Sequence, residues 1–248
     1  MGRQMLFEVE RGYPVARVRA RGLVDERSAS DLRAALMEGL LDQPSLLVLD
    51  VSQVRAVDGA MDTVAAVARE AQVWPGARLA LLGAGPNAPD ALRRLGVAAF
   101  VSTFNDASTA AVAAAALRAP PRASRRIEPT DAAPGEAREV VRELSAAHGV
   151  NGEPAAAELV ASELVTNAVM HAGTPIDFTV RLLDGCVHIA VRDENPNPAR
   201  ITGYVSDSDE HGRGLLVVDA LATSWGTVFP GIGKIVWAAV PVPGVRAK

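Results

Sequence analysis

A single cysteine, two lysines, four histidines and an aromatic share of 4% set the first limits on this chain of 248 residues. Cys186 alone admits no internal disulfide and no cysteine-rich metal cluster, which agrees with a reducing cytosol. The histidines, His148, His171, His188 and His211, lack metal-ligand spacing, so a metal ion would have to arrive with a bound ligand. Trp74, Trp225 and Trp237 form no base-stacking platform and read as packing residues. No run of 18 apolar residues exists, and Met1-Gly2-Arg3-Gln4-Met5 lacks the apolar core of a signal peptide. The expectation is therefore no membrane span and a cytoplasmic location. Among 25 basic residues only Lys234 and Lys248 are lysine, a bias of GC-rich bacterial genomes.

What is present points to two domains. Hydrophobic residues make up 49% of the chain, enough for packed cores, and the charge is unevenly divided. Residues 1–118 carry 13 basic and 13 acidic side chains, whereas residues 129–248 carry 9 basic and 15 acidic. Between them, Ala119-Pro120-Pro121-Arg122-Ala123-Ser124-Arg125-Arg126 reads as an exposed, locally basic linker. The expected division is a domain over 1–118, a linker over 119–129 and a domain over 130–248. The acidic second half argues against nucleic acid as a direct ligand.

In the first half, Met5, Phe7 and Val9 alternate with Glu8 and Glu10, and Ala16, Val18 and Ala20 alternate with Arg17, Arg19 and Arg21. The two runs, joined by Arg11-Gly12-Tyr13-Pro14, predict a hairpin. A helix over 28–41 follows, then the apolar run 45–51, as expected for a strand covered on both faces. Helices over 60–73, 87–95 and 106–118 alternate with strands over 78–83 and 98–103, which predicts an α/β layer domain.

The second half holds the candidate chemistry. Glu163, Asn167 and His171 recur every four residues and so share one helix face, while Leu164, Val165, Ala168 and Val169 turn toward a core. Asn offers a neutral carbonyl oxygen, suited to Mg2+, and Glu offers a base. The alternating run Val187–Val191 leads to Asp193, a strand-end carboxylate able to accept an exocyclic amino group. His211-Gly212-Arg213-Gly214-Leu215 opens an apolar helix. Glycines there allow close backbone approach to a phosphate, at a helix terminus that presents free N–H groups. Arg213 could add a bidentate phosphate contact.

Taken together, these segments over about 130–242 resemble the N, G1 and G2 boxes of the GHKL (Bergerat-fold) ATPases. The resemblance is closest to the bacterial anti-sigma-factor serine kinases of the histidine-kinase-like class. It implies an α/β sandwich that binds ATP and Mg2+. Glu163 would be catalytic, activating the acceptor hydroxyl or orienting water, and Asn167 would hold Mg2+. Asp193 would read adenine. The lid would run from Asn195 to His211, with His171, Asn195, His211, Gly212, Arg213, Gly214 and Leu215 as further nucleotide contacts. Two departures stand out: the lid begins with Pro196 and Pro198, and Ile235 replaces a Thr whose hydroxyl commonly supports the adenine contact. The second implies a loss of roughly 0.5–1.5 kcal/mol.

The first half, over about 5–118, with Leu47-Val48-Leu49-Asp50-Val51 and Asp58-Gly59-Ala60-Met61, resembles the STAS domain of anti-sigma-factor antagonists. Phosphorylatable members carry Ser or Thr directly after the Asp. Gly59 and Ala60 stand there instead, a degenerate phosphosite, and Ser52 and Thr63 are the nearest hydroxyls. The resemblances thus imply an α/β plus α+β chain that phosphorylates a separate STAS anti-anti-sigma factor and holds an alternative sigma factor. Kinases of this type often form homodimers. The alternative is a catalytically inactive protein that sequesters a sigma factor or antagonist stoichiometrically. A sensor histidine kinase is disfavoured, because all four histidines lie in the ATPase-like half.

Overall fold

The computed structural model describes residues 5–23, 28–55, 60–73, 77–117, 119–150, 154–195, 197, 214–229 and 233–242. Gly59, Trp74, His211, Gly212, Arg213 and nearly all of the expected lid lie outside the described residues. The chain divides into two units, Met1–Ala119 and Pro120–Lys248.

Unit 1 is built on a five-stranded sheet. Its elements are β1 (Leu6–Glu10), β2 (Val15–Leu23), α1 (Ser28–Gly39), β3 (Leu46–Arg55), α2 (Met61–Val73), β4 (Arg78–Leu82), α3 (Ala88–Arg94), β5 (Val101–Phe104) and α4 (Ala107–Ala115). Strand order follows chain order, β1-β2-β3-β4-β5. The expected hairpin pairs β1 and β2 antiparallel; the remaining neighbours are parallel. Central β3 is buried from Leu46 to Leu49, as its continuous apolar run demands. Its two faces meet different helices. Leu47 and Val18 close on α1, where a Cβ at Gly39 would stand 2.7 Å from Leu47 Cδ1. On the other face Leu46, Val48, Ala80 and Leu82 pack with Ala110 of α4. The strand continues to Arg55, so Ser52 lies inside it rather than ending it.

Unit 2 comprises β6 (Arg122–Ile127), α5 (Ala133–Ala147), α6 (Ala155–Ala172), β7 (Ile176–Leu183), β8 (Cys186–Asp193), α7 (Gly214–Leu221), β9 (Ser224–Val228) and β10 (Lys234–Pro241). The sheet is wholly antiparallel, in the order β6-β7-β8-β10-β9. The linker expected over 119–129 is corrected here: residues 122–127 are an edge strand pairing Ala123 with Val180 and Ile127 with Ile176. Arg122, Arg125 and Arg126 hide its alternation, because an edge strand in contact with water tolerates charge where an inner strand does not.

One face of this sheet carries the helices. Phe178, Val180 and Leu182 of β7, Val187, Ile189 and Val191 of β8, and Val236, Ala238 and Val240 of β10 stand in register and share one core with α5, α6 and α7. Helix α6 contributes Ala157, Val160, Ala161, Leu164, Val165 and Ala168, the three- and four-residue spacing of one buried stripe. Strands β7 and β8 are joined by Asp184-Gly185, both at positive φ (50° and 77°), the pairing a tight two-residue hairpin requires. No helix among the described residues is long and apolar enough to cross a membrane.

Two stability predictions follow from this packing. Gly233, at φ +72°, lies so close to the end of β8 that a Cβ would meet the Asp193 carbonyl oxygen at 1.9 Å. Gly233→Ala is therefore expected to lower unfolding free energy by at least about 2 kcal/mol, measured by urea titration followed by circular dichroism. His188 of β8 accepts no charge readily. Burial first, then buried Arg181 nearby, push its pKa down to about 4 from 6.5, against weaker opposition from the Leu183 carbonyl and Asp184. Its Nε2–H donates to Leu183 O at 3.1 Å, and Nδ1 has no partner among the described residues. The unfolded chain therefore takes the proton first as pH falls. The stability contributed by neutral His188 is complete above about pH 6.5, declines between 6.5 and about 4, and is flat below. His188→Gln should remove a pH-dependent loss on the order of 2 kcal/mol, seen as a wild-type-minus-variant gap that shifts between pH 7 and 4.

Candidate functional site

Helix α6 places two of the expected residues as predicted. With the buried stripe set by Val160, Leu164 and Ala168, Glu163 and Asn167 each precede a stripe residue by one position and flank it, both partly buried. His171 follows in the last turn and is exposed. Its backbone carbonyl, rather than its ring, takes part in the site: Asn195 Nδ2 donates to His171 O at 2.6 Å. That bond ties the start of the expected lid to the end of α6.

Glycine 214 brings α7 against Glu163. A Cβ built at Gly214 would stand 2.6 Å from Glu163 Oε2. A side chain at this position would displace the tip of Glu163 rather than strike backbone. The carboxylate lies at the first residue of α7, where unpaired N–H groups and the helix dipole favour negative charge. Leu215, next in α7, is buried in the core and anchors the helix rather than facing the site with its side chain.

The other half of the site is the end of β8. Asp193 is 1% exposed, a charge that needs compensation at such depth. Its two oxygens are treated differently. Oδ1 accepts from Lys234 Nζ at 2.9 Å and from the Asn195 backbone N–H at 2.8 Å. Oδ2, equally buried, has no partner among the described residues. Lys234 is itself buried and reaches a second acceptor, Asn195 O, at 3.3 Å. The register of β10 on β8, Lys234 opposite Asp193, fixes this pair.

Lys234 and Gly233 are the residues that sequence reasoning missed. Ile235, which has no hydroxyl to offer, pairs with Arg192 and is buried, and the side chain that reaches Asp193 is Lys234, one residue earlier. The signal was available: Lys234 is the one lysine before the C-terminal residue of an arginine-rich chain, and it opens the otherwise apolar run Ile235–Val240.

The donor set suits a nucleotide with its metal. A buried carboxylate oxygen without a partner can accept a base amino group, and Asn167 offers an oxygen to Mg2+. Among the described residues no cluster of His, Cys, Asp or Glu could hold a metal unaided. At the degenerate phosphosite of unit 1, Ala60 is buried just before α2. A cleft of about 560 Å³ beside it is lined by Met61, Asp62, Asn87, Asp90 and Arg94 and has no hydroxyl in its lining. Ser52, the nearest candidate substitute, is exposed and donates through Oγ to Asp50 Oδ1 at 2.7 Å.

Comparison with known proteins agrees with the geometry of unit 2. Residues 127–237 match the family described as the histidine kinase-like ATPase domain. An uncharacterized protein of Streptomyces coelicolor is 36% identical over 69 residues, 26% of this chain. That match spans 66% of the relative, just under two thirds of its length. Two solved structures resemble the N-terminal part. An anti-sigma factor antagonist from Mycobacterium paratuberculosis covers 44% of this chain and 93% of its own, at 22% identity and a TM-score of 0.35. The anti-sigma factor antagonist SpoIIAA in its unphosphorylated form covers 46% and 100%, at 13% identity and the same TM-score. With Asp193, Glu163 and Asn167 all inside the matched stretch, residues 127–237 of this chain are a histidine kinase-like ATPase domain.

Proposed function

We propose that unit 2 is an ATP- and Mg2+-dependent serine/threonine protein kinase whose substrate is a separate STAS-type anti-anti-sigma factor. In this reading the same unit also holds an alternative sigma factor, and unit 1 is a STAS-like module without a phosphoacceptor that docks or biases the kinase in the cytoplasm. The observation that carries it is the buried Oδ2 of Asp193, an acceptor with no donor among the described residues.

Each residue then has a task. Asp193 Oδ2 accepts the exocyclic amino group of adenine, and Asn167 lends its carboxamide oxygen to the metal. The bound Mg2+ supplies neutralisation of charge on the phosphate oxygens. N–H groups of the first turn of α7, approached closely because Gly214 has no side chain, donate to phosphate. His211, Gly212 and Arg213 precede that turn in the chain and are assigned to the same phosphates. Glu163 takes the proton of the acceptor hydroxyl as the new O–P bond forms and the bond from the γ-phosphorus to the β–γ bridging oxygen breaks, with ADP as the leaving group.

A second reading is favoured by one feature: Lys234 already neutralises Asp193, so the pocket is electrostatically satisfied without a nucleotide. The chain would then be a stoichiometric binder of a sigma factor or antagonist. Transfer of label from γ-labelled ATP to STAS proteins of the same genome separates the two readings. Transfer supports the kinase, and tight partner binding without ATP uptake supports the binder.

Three variants sharpen the outcome. Asn167→Ala is expected to cut phosphoryl transfer by roughly 100-fold or more, because charge on the transferring group loses its counterion. Glu163→Ala should lower the rate by about 10²–10⁴ while ATP affinity, read by calorimetry, stays within a few-fold. Asp193→Asn places a donor where an acceptor is needed and should weaken ATP roughly 10- to 100-fold, with circular dichroism as the fold control.

A further inference from the structure

The two oxygens of Asp193 are not equivalent, and the difference is built by Lys234. Oδ1 is saturated by the ammonium and by the Asn195 N–H, at 2.9 and 2.8 Å, whereas Oδ2 has no partner among the described residues. Lys234 is held in place on two sides. Its register opposite Asp193 fixes its backbone, and the close approach of Gly233 to the Asp193 carbonyl fixes the strand spacing. Stability alone does not account for the pair, since a buried ion pair is commonly no more stabilising than well-packed apolar residues of similar volume.

We infer that Lys234 is the specificity-determining residue of the base pocket: by occupying one oxygen of Asp193 it leaves a single buried acceptor. This inference rests on the nucleotide-binding reading above and adds a selection rule to it. Adenine presents one exocyclic amino donor beside a ring acceptor and needs one carboxylate oxygen. Guanine presents two adjacent donors, N1–H and the N2 amino group, and uses both oxygens of a free carboxylate. With Oδ1 taken, guanine buries a donor without a partner, a penalty far larger than the gain from one ordinary hydrogen bond.

The test is equilibrium binding of MgATP and MgGTP to the full chain by calorimetry, for the wild type, Lys234→Met and Lys234→Thr. The wild type is expected to prefer ATP by tenfold or more, and Lys234→Met to narrow that preference by roughly tenfold, mainly through tighter GTP. Lys234→Thr carries the same expectation should Lys234→Met fail to fold, because its hydroxyl admits water beside the carboxylate. An unchanged preference in a folded variant overturns the inference and leaves the kinase reading standing. Equal affinity of the wild type for the two nucleotides overturns it without any variant, and so does an equal loss of both nucleotides on substitution. Failure of the wild type to bind either nucleotide removes the nucleotide-binding reading itself, a result that does not depend on Lys234.

Discussion

A carboxylate 1% exposed at the end of β8 is the constraint around which unit 2 is arranged. An isolated charge at that depth is costly, and the chain compensates it with a buried ammonium and a backbone N–H. Those partners impose conditions in turn. Strand β10 has to pair with β8 in one register, because a slip of one residue would bring apolar Ile235 to Asp193 and send Lys234 to the other face. Gly233 has to lack a side chain, and Asn195 has to turn back over the strand end, where its amide grips the last turn of α6. Sheet order, strand register and the lid's starting point all converge on one side chain.

Helix α6 connects that constraint to the rest of the site. Its buried stripe packs on β7, β8 and β10, so the flank that carries Glu163 and Asn167 inherits the rigidity of the core. Glu163 and Asn167 are therefore positioned by Leu164 and Val165 as much as by their own contacts. The end of α7 joins them only because Gly214 gives the Glu163 carboxylate room. On the proposed reading, a catalytic base and a metal ligand mounted on a core helix lose little entropy when a ligand arrives, which suits phosphoryl transfer, a reaction governed by positioning and charge.

Much of this was legible in the sequence, for identifiable reasons. The four-residue spacing of Glu163, Asn167 and His171 against an apolar stripe can be satisfied only by a helix with two faces, and the structure has that helix. The alternating and continuous runs of the first half gave strands within a few residues of those observed, because hydrophobic period depends on burial alone. Edge strand 122–127 was not legible, since solvent contact lets arginine replace apolar residues there and erases the alternation. Lys234 stood out as a lone lysine at the head of an apolar run, but the partner that gives it a role was not legible. Its role depends on cross-strand register, and pairing between residues 41 apart leaves no local pattern.

The two units differ in what they can switch. On the proposed reading, a phosphorylatable antagonist alternates between two charge states at the start of a helix, because a phosphate adds close to two negative charges at neutral pH. Unit 1 has a buried alanine at that point, and the adjoining cleft offers carboxylates, an arginine and an amide but no hydroxyl. Ser52 is no equivalent, for its hydroxyl is hydrogen-bonded to Asp50, so a phosphate there would stand against an existing carboxylate. On the proposed reading unit 1 lacks that switch at the start of α2, and a change of state comes from unit 2, where one oxygen of Asp193 has no partner among the described residues.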